Sequence, residues 1–147
     1  MKFIKTTTAA ILGVSALFSA ASMAETHVVK AAGLAFKPLV VKVQPGDQVA
    51  WKGMTIHNVN TEFTSDDGVT EYIPEGAEGF TSKIGNNFTS DPLTVEGVYF
   101  YKCDPHWGAG MGGVVIVGEP TNLQKIVDAD PSGALGRLVR KTQKAVK

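Results

Sequence analysis

The segment Cys103-Asp104-Pro105-His106-Trp107-Gly108-Ala109-Gly110-Met111 places a thiolate, an imidazole and a thioether on one short stretch, spaced Cys-x-x-His-x-x-x-x-Met. A second imidazole, His57, stands in Ile56-His57-Asn58-Val59. Two His, one Cys and one distant Met form the ligand set of a type 1 blue-copper site. The sulfur donors are soft enough for Cu(I), and imidazoles suit Cu(I) and Cu(II) alike. One copper per chain, held by both donor types, can change oxidation state with little rearrangement. Taken singly, each residue has a duller role: a lone Cys is usually a buried hydrophobe or a reactive thiol, and a lone Met fills a core. The joint pattern outweighs those readings. The chain has three His, one Cys and four Met, and three of the four proposed ligands fall within nine residues.

The ligand types assign the roles. Cys103 supplies the short covalent sulfur bond, His57 and His106 complete a trigonal plane, and Met111 is the weak axial ligand that helps set the potential. Pro105 stiffens the loop and removes one backbone donor near the metal. His106, Trp107, Gly108 and Ala109 form the expected electron-exit and docking patch. His27 lies far from the other ligands in sequence and reads as a strand histidine. Trp51 alternates with Val49 and reads as core. Met54 fits either core or surface, and Trp107 either loop packing or partner contact.

A closing loop of this kind needs a rigid scaffold at both ends, and the flanking sequence reads as β. Gly97 to Cys103 alternates, with Tyr99, Tyr101 and Cys103 on one face. Gly113 to Gly118 is the last strand. Earlier strands are expected over Thr26–Ala32, Leu39–Val43, Gln48–Lys52 and, briefly, His57–Asn60, with one or two more between Lys83 and Val95. Gln44-Pro45-Gly46-Asp47 marks a turn. Many short strands at regular turn spacing imply an all-β sandwich.

The period changes after residue 120. Thr121 or Asn122 can cap a short helix through Ala129, and Asp130-Pro131 reads as the start of another. Leu135, Leu138, Val139 and Val146 fall on one face of it, and Arg137, Arg140, Lys141 and Lys144 lie elsewhere. The expected role of this tail, residues 121–147, is a helical cover on the sandwich with a solvated basic face. A helix lying on a membrane surface is the weaker reading, because the apolar stripe is thin.

At the front, Met1-Lys2-Phe3-Ile4-Lys5 is a short basic start, an apolar run follows, and Ser22-Met23-Ala24 offers small residues where a signal peptidase reads. Residues 1–24 are therefore expected to be a secretory signal peptide, removed on export to leave residues 25–147 as one domain. No other stretch is long and apolar enough to cross a bilayer. In an oxidising compartment a lone thiol is at risk, and metal ligation removes that risk. The chain balances 14 basic against 14 acidic residues. Residues 25–120 hold 6 basic and 12 acidic side chains, and residues 121–147 hold 6 and 2. There is no basic surplus to argue for nucleic acid.

Several motifs together resemble the pseudoazurins, periplasmic electron carriers of the cupredoxin family. Phe36-Lys37-Pro38 is similar to the family's Phe-x-Pro, and Pro45-Gly46-Asp47-Gln48-Val49 to its Pro-Gly-Asp-x-Val. His57-Asn58-Val59 resembles the segment that carries the first copper histidine. Ile73-Pro74-Glu75-Gly76-Ala77-Glu78-Gly79-Phe80, the copper loop and the two-helix tail complete the likeness. The resemblance implies an eight-stranded Greek-key sandwich with copper at one end. It implies that the Asn58 side chain ties the two ligand segments together, here with a partner around Asp104. It also implies transient docking to a redox protein such as a copper nitrite reductase; a cytochrome c is the other expected partner, and the chain is expected to be a monomer.

Two stretches depart from that pattern. Asn60 to Tyr72 is longer and acidic, and Trp107-Gly108-Ala109-Gly110-Met111 is closer to a plastocyanin loop. Asn60 to Glu78 carries Glu62, Asp66, Asp67, Glu71, Glu75 and Glu78 with no Lys or Arg. If part of it lies at the copper end, the docking rim is acidic and suits a basic partner. The competing reading keeps a Lys ring drawn from Lys37, Lys52, Lys83 and Lys102. The overall expectation is a one-electron carrier, with a copper-binding chaperone as the alternative. A copper enzyme is not expected, because the chain lacks His-x-His and has only His27 beyond the proposed site. A chaperone would favour a Met-rich exchangeable site, and only Met54 and Met111 remain after cleavage.

Overall fold

The computed structural model describes residues 23–65 and 68–147. Apart from Met23 and Ala24, the expected leader lies outside the described residues, as do Asp66 and Asp67. Among the described residues nine strands form: β1 (Thr26–Ala32), β2 (Ala35–Lys37), β3 (Val40–Val43), β4 (Gln48–Lys52), β5 (Glu62–Ser65), β6 (Gly68–Glu71), β7 (Phe88–Thr89), β8 (Gly97–Lys102) and β9 (Gly112–Val117). One sheet runs β2-β1-β4-β7, the other β3-β9-β8, and β5 and β6 pair as a separate hairpin. The expected all-β sandwich with two C-terminal helices is what the chain forms. β2 and the β5–β6 hairpin are additions to the strands read from sequence. Residues 57–60, expected as a short strand, are a loop in which only Asn60 bridges, to Thr81 and to Lys102.

The inner core lies between the two sheets. Val29, Val49 and Trp51 of one sheet meet Val41, Tyr99, Tyr101, Val115 and Val117 of the other, and Met54, Cys103 and Met111 close the same cluster at one end. A second cluster covers the outer face of the β3-β9-β8 sheet. There Val98, Phe100, Val114 and Ile116 meet Phe63 of the hairpin and Leu123, Ile126, Leu135, Leu138 and Val139 of the tail. Every residue of β8 and β9 is therefore buried. That explains the unbroken run Val114-Val115-Ile116-Val117, since a strand covered on both faces has no polar alternation.

The tail helices are α1 (Leu123–Asp128) and α2 (Gly133–Ala145). Asn122 precedes α1 without a side-chain cap bond; its amide instead brackets Val98 of β8, accepting from the N–H at 2.7 Å and donating to the carbonyl at 3.0 Å. The second helix starts later than Asp130-Pro131 suggests. Asp130 takes a positive φ of 45°, Ser132 is the residue before the helix, and Val146 falls outside the packed stripe. Leu135, Leu138, Val139 and Thr142, spaced by three and four, face the sheet. Burying an aliphatic side chain of this size stabilises a fold by about 1.5–3 kcal/mol. The tail is thus packed cover, and the membrane-surface reading is not needed to account for its apolar stripe.

One close approach decides a residue type. Gly113 lies opposite Tyr101 in the β8–β9 register. A Cβ there would collide with the hydroxyl end of the Tyr101 ring. A glycine inside a strand commonly marks such an approach. Gly113→Ala is expected to destabilise the fold by about 2 kcal/mol through forced overpacking, measured by denaturant unfolding. A change below about 0.5 kcal/mol would show that the Tyr101 ring moves freely away, contrary to its packing against Phe36 and Trp51 at 5.1 and 5.2 Å.

Candidate metal centre

The loop between β8 and β9 is a 3-10 helix over Asp104–Ala109 with Pro105 in its first turn. Proline fits that position because its missing N–H is one the helix start leaves unpaired anyway. The loop closes by backbone bonds between its own ends. The N–H of Cys103 donates to the Met111 carbonyl at 3.0 Å, and the N–H of Met111 donates to the His106 carbonyl at 3.2 Å. Gly110 ends the turn with φ 80°, a left-handed conformation that suits glycine. The first-sheet side is held likewise. The His57 N–H donates to the Met54 carbonyl at 3.0 Å, and the His57 carbonyl accepts from Gly85 N–H at 3.1 Å.

These supports bring three donor atoms together. His57 Nδ1 and His106 Nδ1 are 3.2 Å apart. Cys103 Sγ lies 3.6 Å from His57 Nδ1 and 3.4 Å from His106 Nδ1. Donors bound to one ion at about 2.0–2.3 Å are separated by distances of this order. The residues therefore fit a metal, and the thiolate and imidazole set suits copper. Among the described residues no other cluster of three His, Cys, Asp or Glu groups has this compactness. Met111 is buried at the Cys103 end of the inner core. Burial lowers the His57 pKa, and the neighbouring His106 ring lowers it further, which favours the neutral imidazole that binds metals.

Burial separates the four residues by role. Cys103, Met111 and His57 are all buried, whereas His106 is partly exposed. Of the four, His106 alone reaches solvent. Ile56 and Ile84 are exposed apolar side chains, at 58% and 59% exposure. Ile56 adjoins His57, and Ile84 adjoins Gly85, whose N–H holds the His57 carbonyl. Sequence reasoning singled out neither, because a lone isoleucine carries no sign of its exposure.

A polar cluster joins the two ligand segments. Asn58 Nδ2 donates to Asp104 Oδ2 at 2.7 Å, and the Asp104 N–H donates to Asn58 Oδ1 at 2.8 Å. Asn60 Nδ2 reaches both Asp104 oxygens at 3.1 and 3.2 Å. The ammonium of Lys102 also donates to Asp104. Partial burial opposes the charge on Asp104, but the Lys102, Asn58 and Asn60 bonds outweigh it and hold its pKa below the usual carboxylate value. Asn60 was not among the residues singled out from sequence. Lys102, offered there as a member of a Lys ring, is buried and committed to Asp104. It belongs to a strand covered on both faces.

Trp107 turns away from the metal cluster and packs on Phe63 of β5, ring centroids 5.3 Å apart, with Phe63 in turn 5.3 Å from Tyr72. The base of the acidic hairpin thus lies directly beside the copper loop. From the other side, Arg137 of α2 reaches the loop, because a Cβ on Gly110 would strike its guanidinium. His27 is on β1 with its Nε2 2.9 Å from Asp47 Oδ2, apart from the three-donor cluster. Trp51 is fully buried in the core, and so is Met54.

Residues 23–118 match the family model described as copper binding proteins, plastocyanin/azurin family. A pseudoazurin of Paracoccus pantotrophus is 37% identical over 120 residues, covering 78% of this chain and 77% of the relative. A plastocyanin of Synechococcus is 31% identical over 116 residues, covering 69% of this chain and 80% of the relative. Among solved structures, native pseudoazurin from Hyphomicrobium denitrificans superposes with a TM-score of 0.62 at 28% identity, covering 79% of this chain and 94% of that one.

Proposed function

The chain belongs to the plastocyanin/azurin family of copper binding proteins, and from that premise we propose that it is a one-electron carrier whose copper is held by His57, Cys103, His106 and Met111. The observation that carries this reading is the convergence of two Nδ1 atoms and one Sγ within 3.6 Å of one another. Bound there, copper supplies a centre that gains or loses one electron without bond making. The chain's own residues do the rest. The backbone bonds across the loop hold the donors in place before the metal binds, so little movement accompanies a change of charge. Apolar packing around Cys103 keeps water from the sulfur, and hydrogen bonds around the ligands fix their orientation. The partly exposed His106 ring offers the exit. Gly108 and Ala109 keep the loop beside it low, and the exposed Pro105 adds apolar surface. Such a small, weakly adhesive face suits a carrier that docks and leaves quickly.

The signal-peptide reading gives a periplasmic protein whose mature chain is residues 25–147. For its partner, the rim supports a basic redox protein, such as a basic cytochrome c, over an acidic reductase. Lys102 is withdrawn from the surface, and the acidic hairpin is anchored beside Trp107. Arg137 on the helix side is the opposing charge. Charge of this kind acts chiefly on the encounter rate and is screened by salt. Visible and EPR spectra of the copper-loaded protein test the centre. Electron-transfer rates across ionic strength test the rim. The expected result is a faster reaction with the basic partner that slows as salt rises. A faster reaction with the acidic partner at low salt would overturn the acidic-rim reading and favour a Lys and Arg rim.

A further inference from the structure

We propose that cleavage after Ala24 creates an ion pair that locks the fold: the new α-ammonium of Glu25 becomes the counter-ion of the buried Asp47 carboxylate. This rests on the export reading above. Met23, Ala24 and Glu25 are all exposed, so the peptide bond is open to a peptidase. The Glu25 nitrogen already lies 2.8 Å from Asp47 Oδ1. The other carboxylate oxygen accepts from Gln44 N–H at 2.8 Å and lies 2.9 Å from His27 Nε2. Asp47 itself is only 4% exposed.

The turn that presents this carboxylate is Pro45-Gly46-Asp47, with Gly46 at φ 97°. Its geometry is fixed from outside as well, since the Asp47 carbonyl accepts from Leu93 N–H at 2.8 Å. The Glu25 carbonyl accepts from Gln48 N–H at 2.8 Å, and the parallel β1–β4 ladder begins at the next pair, Thr26 and Gln48. Glu25 is therefore the first residue tied into the sheet. The strand it starts pairs with β4, which leads into the segment carrying Met54 and His57.

While the leader is attached, Glu25 offers one neutral amide donor. After cleavage the same nitrogen carries a full charge and three donors, and a charge-assisted bond is roughly twice as strong as a neutral one. The Asp47 carboxylate is ready to receive it. The Glu25 and Gln44 N–H groups, with the His27 ring, hold its pKa at about 2. A chain terminus left untied would fray. The precursor thus has the weaker fold, and removal of the leader strengthens it.

Pairing raises the amine's folded pKa above its unfolded value of about 7.7–8.0. The added stability is complete below the unfolded value and is lost as pH rises through the folded one. The titratable groups meeting at the clamp are the α-amine, Asp47 and His27, with the exposed Glu25 side chain beside them.

The test starts with the intact mass of copper-loaded protein secreted from the full chain, expected to begin at Glu25. Denaturant unfolding then compares this protein with an N-acetylated form and with one beginning at Met23. At pH 7 the free amine should raise the folding equilibrium constant about three- to tenfold over both others, the gap closing by about pH 10. Asp47→Asn should abolish the difference between free and acetylated forms. A mass that begins elsewhere overturns the cleavage position, and the clamp with it. A mass beginning at Glu25 with equal stability of free and acetylated forms at pH 7 leaves the cleavage reading intact and overturns the clamp. The acetylation comparison decides this even if the Asp47 variant does not fold.

Discussion

Cys103→Ser is expected to yield a folded protein without the intense visible band and with electron exchange reduced at least about 100-fold, since loss of supporting groups around a metal alone costs about 10–100-fold. A hydroxyl is a hard donor and cannot replace the covalent thiolate. The Cys103 sulfur is fully buried between two imidazoles. Cys103 is also the only cysteine in the chain, so no second thiolate can take its place. Serine is smaller and tolerable at the end of β8, so circular dichroism should keep the β signature and separate loss of copper chemistry from loss of fold. Met111→Gln is the contrast: it should keep the band and shift the reduction potential, because only the weak axial bond changes. A Cys103→Ser protein that remains intensely coloured would sink the ligand assignment.

The parts of this centre that were legible in the sequence are those encoded within one short stretch. Cys103, His106 and Met111 lie on a single loop, and the strands at its ends announce themselves by β-branched and aromatic residues. The parts that were not legible come from elements distant in sequence. Lys102 looks like any strand lysine, and its burial comes with the Phe63 ring of the hairpin and the bond to Asp104. Arg137 was legible as a residue off the apolar stripe of a helix, but periodicity does not say which surface its side chain reaches. It reaches Gly110. Asn60 is hidden because residues 57–60 read as a strand in the sequence, where its amide is one more edge group. In the loop that amide is free to bond Asp104, while its oxygen accepts from Glu62 N–H at 2.8 Å and Thr81 Oγ1 at 2.9 Å. The start of α2 failed for a local reason. Asp130 with φ 45° breaks the capping geometry that Asp-Pro suggests, and the helix begins only after Ser132.

The polar cluster on the loop carries the second large effect. Asp104→Ala is expected to destabilise the protein by about 3 kcal/mol, because it removes two amide partners and leaves the Lys102 ammonium buried without its counter-charge. The Lys102 side chain is 10% exposed and lies 6.0 Å from the Phe63 ring, but Asp104 is 36% exposed, so water partly replaces the carboxylate and keeps the loss at the low end for a buried pair. Asp104 sits between Cys103 and His106 in the loop, and the Asn58 amide binds it to the segment of His57. Loosening that tie lets the two imidazoles move independently, so the copper site must reorganise more at each transfer. Electron self-exchange should therefore slow even at temperatures where the variant is fully folded. Joint replacement, Lys102→Met with Asp104→Leu, removes the buried charge along with its partner and should recover much of the stability. It should not recover the exchange rate, since Asn58 and Asn60 still lack their acceptor. Chemical unfolding and self-exchange rates on the two variants separate these contributions. Loss of less than about 0.5 kcal/mol in Asp104→Ala, or equal exchange rates in all forms, would mean that the cluster neither stabilises the loop nor orders the ligands.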